Sequence, residues 1–392
     1  MSNPKKTSTG KDFSEKATRS YSDKTVVKLW VRSGGRCEFN GCNEYLLTDK
    51  LSLEESNFSN IAHIVALSPI GPRGNDPLSS EKRNEVENLM LVCTKHHHLI
   101  DDKKLVGKYP KEKLHQMKQV HEERILRLTE MKPGEKIFAI CFKAKIAGEV
   151  VQVPLDQIES AVYPRYLMEK KPLEIDLTSL PDLEDENSWS VGMKMISEVL
   201  MKYYHPGVTS GTIGHVSIFG LAPIPLLMFL GNQLSNKVTT DLYQRHRNPE
   251  GWAWKTDGDT VNYKTQLLKP GDDKAKVAMV LSLSGPTSLE SLPEDVRNHY
   301  AVYEITLDDI TPNTGFLRKK EDLAGFQVAY QKLLGKIRRT HGAVGEILLF
   351  PAVPAPVAIL CGRELLKKVH PTMKVYDLNK KEGGFSHILT IN

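Results

Sequence analysis

Asn88-Leu89-Met90-Leu91-Val92-Cys93-Thr94-Lys95-His96-His97 decides how the first third of the chain folds. Four apolar residues, enough for a short buried strand, run into a knuckle in which Cys93 and His96 are three positions apart. Upstream, Cys37 and Cys42 form a second two-ligand knuckle. Four N/S ligands in paired knuckles suit a tetrahedral, closed and therefore structural zinc site, and a domain with a thin core gains folding free energy from such a clamp. Between the knuckles lie a second short strand, Asn60-Ile61-Ala62-His63-Ile64, and a Gly/Pro-rich loop from Pro69 to Asp76.

Outward from this centre, Ser22 or Asp23 caps a helix with Val26, Val27, Leu29 and Trp30 on its apolar side, ended by Gly34-Gly35. Pro110 opens another, with Leu114, Met117, His121, Ile125 and Leu128 recurring at spacings of three and four. It stops before Pro133-Gly134, which marks a domain boundary. Residues 1–21 are polar, without hydrophobic period, and read as a flexible arm. The expected division is therefore 1–21, 22–131 and 132–392. Lys136 to Val153 reads as β structure of the second domain, and the acidic Pro181 to Asn187 as a loop.

The whole chain of 392 residues is 40% hydrophobic and 26% charged, a composition that excludes wholesale disorder and calls for two or three domains. Residues 1–131 hold 22 Lys and Arg against 18 Asp and Glu, so four of the five excess positive charges lean toward a polyanionic partner of the front end. The N-terminus carries no secretory pattern, and the longest apolar run, Val216 to Leu230, contains two prolines and is too short for a ~30 Å bilayer core. A cytoplasmic protein with no membrane partner is expected. Of the five cysteines, Cys141 and Cys361 lie in apolar stretches and read as core.

The back half repeats itself. Phe219, Pro223, Pro225, Gly231 and Leu234 recur as Phe350, Pro354, Pro356, Gly362 and Leu365, each 131 positions on, and Tyr243 is followed by Tyr376. Each copy is an apolar strand, a proline turn and a helix, the junction at which α/β folds bind ligands and where a helix N-terminus favours phosphate. Two halves, roughly 135–270 and 271–392, would form a pocket of approximate two-fold symmetry, suited to a ligand that is itself nearly two-fold with two phosphates. Ser284 and Gly285, following the strand Val277 to Leu283, are contact candidates, with Arg245 for phosphate and Trp252 or Trp254 for a base.

His63, Asn88 and His97, in register with the knuckles, resemble the motif of HNH (ββα-metal) nucleases over about Gly35 to Asp101. The residue types fit phosphodiester hydrolysis. His63, with an ordinary pKa near ~6.5, accepts a proton from water at cell pH. His97 and Asp101, four apart on a helix, face one way and could hold Mg²⁺ or a similar cation against the developing charge. In that family the Asn orients the His and its loop, a role that falls to Asn88. Many HNH enzymes carry a further metal ligand directly before the base; here that position is Ala62. Arg73, in Gly71-Pro72-Arg73-Gly74, is a candidate contact to DNA phosphate.

Taken together, residues 62–68 (Ala-His-Ile-Val-Ala-Leu-Ser), the Gly-Pro-Arg-Gly turn, the His-His-x2-Ile-Asp run and the repeat resemble HNH-SAVED effectors of CBASS, the bacterial cyclic-oligonucleotide-based anti-phage signalling; the C-terminal motifs are looser than the HNH ones, and among them Leu348 to Arg363 matches most strongly. The resemblance implies a C-terminal α/β SAVED domain of two fused CARF-like, Rossmann-like halves. It also implies that Phe350, Pro351 and Pro354 stand at the ligand pocket. A cyclic di- or trinucleotide such as cGAMP, made by a partner synthase, would drive assembly of a homo-oligomer, at least a dimer and by the resemblance a tetramer. Assembly would release unspecific cleavage of double-stranded DNA. Two other readings stay open: a restriction-type HNH nuclease recognising modified DNA, and a non-catalytic zinc-stabilised DNA-binding regulator.

Overall fold

The structure, a computed structural model, describes residues 21–49, 51–78, 80–131, 135–146, 148–180, 186–379 and 384–392, and the chain divides into two compact units, 1–131 and 132–392. Residues 1–20 of the expected arm, residues 181–185 of the expected loop and the Pro133-Gly134 breaker lie outside the described residues. Two of these expectations need correction where they can be seen. Tyr21 packs against the core of the first unit, and Glu186 and Asn187 already belong to a helix. Among the described residues no helix is long and apolar enough to cross a membrane.

In the first unit, α1 (Asp23–Ser33) begins where the Ser22 hydroxyl accepts from the Thr25 N–H at 3.1 Å and ends at Gly34 in the left-handed conformation. Leu29 is fully buried, whereas Val27 points to solvent. Strand β1 (Ser59–His63) pairs antiparallel with β2 (Leu89–Cys93), setting His63 opposite Leu89, and α2 (Thr94–Asp101) follows β2 directly. All five residues of β2 are buried, which is why that run shows no polar alternation. Helix α3 (Lys111–Thr129) closes the unit through Leu114 and Met117. His121 of the same helix is a satisfied core histidine, its Nε2 lying 2.9 Å from the Ser33 carbonyl.

The second unit runs β3 (Lys136–Lys143), α4 (Leu155–Val162), β4 (Tyr166–Leu167), β5 (Leu173–Asp176), α5 (Glu186–Val199), α6 (His205–Thr209), β6 (His215–Leu221), α7 (Ile224–Leu234), β7 (Thr239–Tyr243), and a small hairpin of β8 (His246–Arg247) and β9 (Glu250–Gly251). It continues with β10 (Tyr263–Lys269), β11 (Val277–Ser282), α8 (Glu294–His299), β12 (Ala301–Leu307), α9 (Lys320–His341), β13 (Glu346–Ala352), α10 (Ala355–Arg363), β14 (Thr372–Asn379) and β15 (Gly384–Ile391). The first sheet is parallel, in the order β4-β3-β6-β7 with β5 also on β3. The second, in the order β10-β12-β11-β13-β14-β15, is parallel except at its two antiparallel edges.

The repeat is structural. Strands β6 and β13 are superposable in sequence position, each leads through a proline into a helix, and Pro225 and Pro356 occupy the first turns of α7 and α10. Phe219 stacks on Tyr243 with ring centroids 4.5 Å apart, as Phe350 lies on Tyr376 at 4.7 Å. Because Phe138 pairs with Val216 and Val277 with Ile347, β3 and β11 are also counterparts. The expected division at 270 needs adjusting: β10 pairs with β12 and so belongs to the second sheet.

Candidate functional site

Strand β2 delivers Cys93 and the first turn of α2 delivers His96, while the turn after α1 delivers Cys37 and Cys42. Their ligand atoms all lie within 4.8 Å of one another. His96 Nδ1 is 3.6 Å from Cys37 Sγ and 3.1 Å from Cys93 Sγ. A tetrahedron of ligands at zinc's bond lengths has edges of about 3.5 to 3.8 Å, so the donor set and its spacing fit a closed divalent site. Burial pushes the Cys37 and Cys93 thiols up and holds His96 below the usual imidazole range. A bound cation would compensate the buried thiolates. Phe39 stacks flat on His96, ring centroids 4.1 Å apart, fixing the ligand ring.

Beside this cluster, a cleft of about 210 Å³ is lined by His63 from the end of β1, by Ser68, Gly71 and Pro72 from the following loop, and by His97 and Asp101 from α2. His97 Nε2 stands 3.6 Å from Asp101 Oδ2, so the i,i+4 spacing does turn both toward one place. Ala62 faces the other side of β1, fully buried among Leu29, Leu46 and Met90. The strand's alternation therefore sends the position before His63 into the core, away from the cleft.

Asn88 is buried and does not line the cleft. Its Oδ1 accepts from the Val65 N–H, and its Nδ2 donates to the Val65 and Arg83 carbonyls, each at 2.9 Å. It pins the backbone just beyond His63. Two residues that sequence reasoning passed over do more here. The Arg83 guanidinium donates to five carbonyls, those of Ala66, Leu67, Gly74, Asp76 and Leu78, at 2.6 to 3.2 Å, and so holds the Gly/Pro-rich loop by its backbone. Its neighbour Asn84 places Oδ1 3.0 Å from His63 Nε2. The only advance signal for either was a charged-polar pair shortly before a buried strand.

Arg73 departs from expectation. It donates to the carbonyls of Ile64 at 2.5 Å, Ile100 at 3.0 Å and Tyr109 at 3.3 Å, and burial pulls its guanidinium below the usual range. It is a strut beneath the cleft, with its donors turned inward, and not an arm toward a phosphate.

In the second unit the expected ligand residues separate. Ser284 and Gly285 stay accessible beyond β11, and Ser284 N–H donates to the Ala352 carbonyl at 2.7 Å, so the two junction loops of the second half do meet. Arg245 is half-buried and paired with Glu250, and Trp254 is half-buried. Trp252, Phe350, Pro351 and Pro354 are buried and serve as core: Trp252 and Phe219 meet edge to face, and in the other half Phe350 lies on Tyr376 and meets Phe385 edge to face. The junction helices are also poorer phosphate sites than expected. Prolines at the cap and in the first turn of α7 and α10 remove N–H donors that an anion would use.

Two features here were not foreseen. A polar cleft of about 470 Å³ opens at the carboxyl ends of β11 and β12, where the register aligns Ser282, Thr306 and Lys264 in one row and Glu304 and Gln266 in the next. Glu304, Asp308 and Asp309 give its walls an acidic character. Elsewhere, Asp241 of β7 receives Lys320 at 2.5 Å, His215 at 2.8 Å and Arg165 at 3.0 Å. Burial alone would raise its carboxyl, but these hydrogen bonds and charges carry it well below the usual range.

A family model described as the SMODS-associated and fused to various effectors sensor domain, SAVED, matches residues 196–391, half of the chain. Similar solved structures include the Acinetobacter baumannii Cap4 SAVED/CARF-domain containing receptor with the cyclic trinucleotide 2′3′3′-cAAA (12% identity, 74% of this chain and 62% of that one, TM-score 0.43). The same receptor with 3′3′3′-cAAA is similar at 13% identity, 74% and 62% coverage and a TM-score of 0.42. The Moraxella osloensis Cap4 SAVED/CARF-domain containing receptor follows at 12% identity, 82% and 62% coverage and a TM-score of 0.40. The chain thus spans 62% of the length of these receptors. No relative is found among curated proteins.

Proposed function

The chain belongs to the SAVED family of sensor domains through residues 196–391, and from that premise we propose that it is a cyclic-oligonucleotide-activated, metal-dependent HNH endonuclease acting on double-stranded DNA in anti-phage signalling. The sensor is the second unit, whose duplicated strand-turn-helix halves suit a cyclic di- or trinucleotide of approximate internal symmetry. The effector is the first unit, in which β1, β2 and α2 form a ββα-metal arrangement braced by Zn²⁺ on Cys37, Cys42, Cys93 and His96.

One observation carries the nuclease reading: His63 at the end of β1 and His97 and Asp101 of α2 line a single cleft beside the four-ligand cluster. His63 takes the proton from the attacking water. His97 and Asp101 would hold Mg²⁺ or a similar ion, which neutralises charge building on the phosphate and the departing 3′-oxygen. Asn88 keeps the strand end and the loop in the register that this requires. Ligand binding would join copies of the chain into an oligomer, bringing two clefts to the two DNA strands.

The test incubates the full chain with supercoiled plasmid, Mg²⁺ and a panel of synthetic cyclic di- and trinucleotides, beside His63→Ala. Degradation is expected only with a particular nucleotide and only in the wild type. Equal cutting without any nucleotide overturns the sensor, and cutting that persists in His63→Ala overturns the base.

A further inference from the structure

We propose that Asn84, and not Asn88, is the residue that positions the imidazole of His63 and fixes its tautomer; this rests on the reading of His63 as the base. Asn88 has no group to spare for the task, because its amide oxygen and nitrogen are spent on the backbone of Val65 and Arg83. Asn84 reaches the ring itself, with Oδ1 3.0 Å from Nε2. An amide oxygen only accepts, so the ring proton resides on Nε2 and the lone pair on Nδ1 becomes the basic one. The Tyr21 ring lies 5.7 Å away, centroid to centroid, and limits rotation of the imidazole out of this alignment.

The support behind Asn84 is what distinguishes it from a passing surface contact. It closes the short 3-10 turn Ser80–Asn84 and follows Arg83 directly. The Arg83 carbonyl is held by Asn88, while its guanidinium grips five carbonyls of the loop that forms one wall of the cleft. The orientation of the base is thereby tied through two adjacent residues to the ordering of that wall. A loop displaced from its path would release Arg83, swing Asn84 and free the ring, so a correctly seated wall and a correctly protonated base come together.

The experiment compares wild type with Asn84→Leu, which removes the acceptor at similar volume, Asn84→Asp, which keeps an accepting oxygen, and His63→Ala. Selective ¹⁵N-histidine NMR of the full chain reads the His63 tautomer, and plasmid cleavage with Mg²⁺ and a mixed panel of synthetic cyclic di- and trinucleotides reads kcat and KM. Wild type should show the Nε2-protonated form. Asn84→Leu should lose that preference and about 10- to 100-fold in kcat with KM nearly unchanged, and Asn84→Asp should retain most of the activity. An Nδ1-protonated His63 in the wild type overturns the proposal whether or not the variants fold, as does equal loss in the Leu and Asp variants. If His63→Ala cuts like the wild type, the reading of the base has failed, while the tautomer measurement still reports on Asn84 separately.

Discussion

Gly231 of α7 and Gly362 of α10 lie at the crossing of two repeat-related helices, each so near the other helix's backbone that a Cβ would fall 2.0 Å from the Ile359 carbonyl oxygen or 1.9 Å from that of Met228. The contact is reciprocal, since Met228 and Ile359 are themselves repeat mates. No side chain can yield to make room; one helix would have to move as a body. Gly231→Ala and Gly362→Ala should each destabilise residues 132–392 by about 2 to 4 kcal/mol. The double variant should lose less than the sum, because the first substitution already parts the helices. Urea unfolding of the full chain checks both statements, and an unchanged midpoint for either single variant would contradict them.

Zinc is the second prediction. Purified chain should carry one Zn²⁺, and removing it with a strong chelator should melt the first unit while the second stays folded. Cys93→Ala should reproduce that outcome without chelator, at a cost comparable to losing the largest structural contribution of a small metal-braced domain. Elemental analysis together with hydrogen exchange resolved by peptide distinguishes the two units.

For pH, Asp241 is the group to watch. Its folded carboxyl is held below the usual range, so it binds its proton less readily than in the unfolded chain. The stability it contributes is present above the unfolded value near ~4 and is lost as pH falls toward the folded value. Asp241→Asn should lower the stability of residues 132–392 by about 2 to 3 kcal/mol at pH 7, leaving Lys320 and Arg165 without their counter-charge. The gap between the two proteins should close on acidification below pH ~4. A gap that stays constant across this range would show that Asp241 acts by shape alone.

Arg73→Ala gives a sharp contrast between two roles. A strut should lower the stability of the first unit by about 2 kcal/mol or more, since it strands three carbonyls. A phosphate contact would instead reduce the salt dependence of DNA binding by roughly one unit of slope. The first effect is expected without the second.

How much could be read beforehand follows from the kind of signal each feature leaves. The knuckles and the junction helices were legible because their constraints are local and written in residue type: thiols and imidazole at fixed spacing, prolines at a helix start. Strand β3 escaped the repeat arithmetic because its distance to β11 differs from the 131 shared by the later elements. Trp252 and Phe350 were misplaced because an aromatic near a junction looks the same whether it faces a ligand or packs beneath it, and only the sheet's pleat decides. Asn84, Arg83 and Arg73 act on backbone carbonyls or a distant ring across loops, contacts with no periodicity to betray them. Arg73 is the example: an arginine in a Gly-Pro-Arg-Gly turn reads as reaching outward, yet its donors turn in.

The Arg83 clamp has a further consequence for how this scaffold can change over generations. All five of its contacts are to carbonyl oxygens, which every amino acid possesses. The Arg83 grip is therefore indifferent to which side chains residues 66–78 carry, so long as the Arg73 strut and the glycine and proline geometry survive. Side chains of this segment other than Arg73 can thus change while its backbone path is kept, and because Ser68, Gly71 and Pro72 line the cleft, such changes would reshape one of its walls on an unaltered frame.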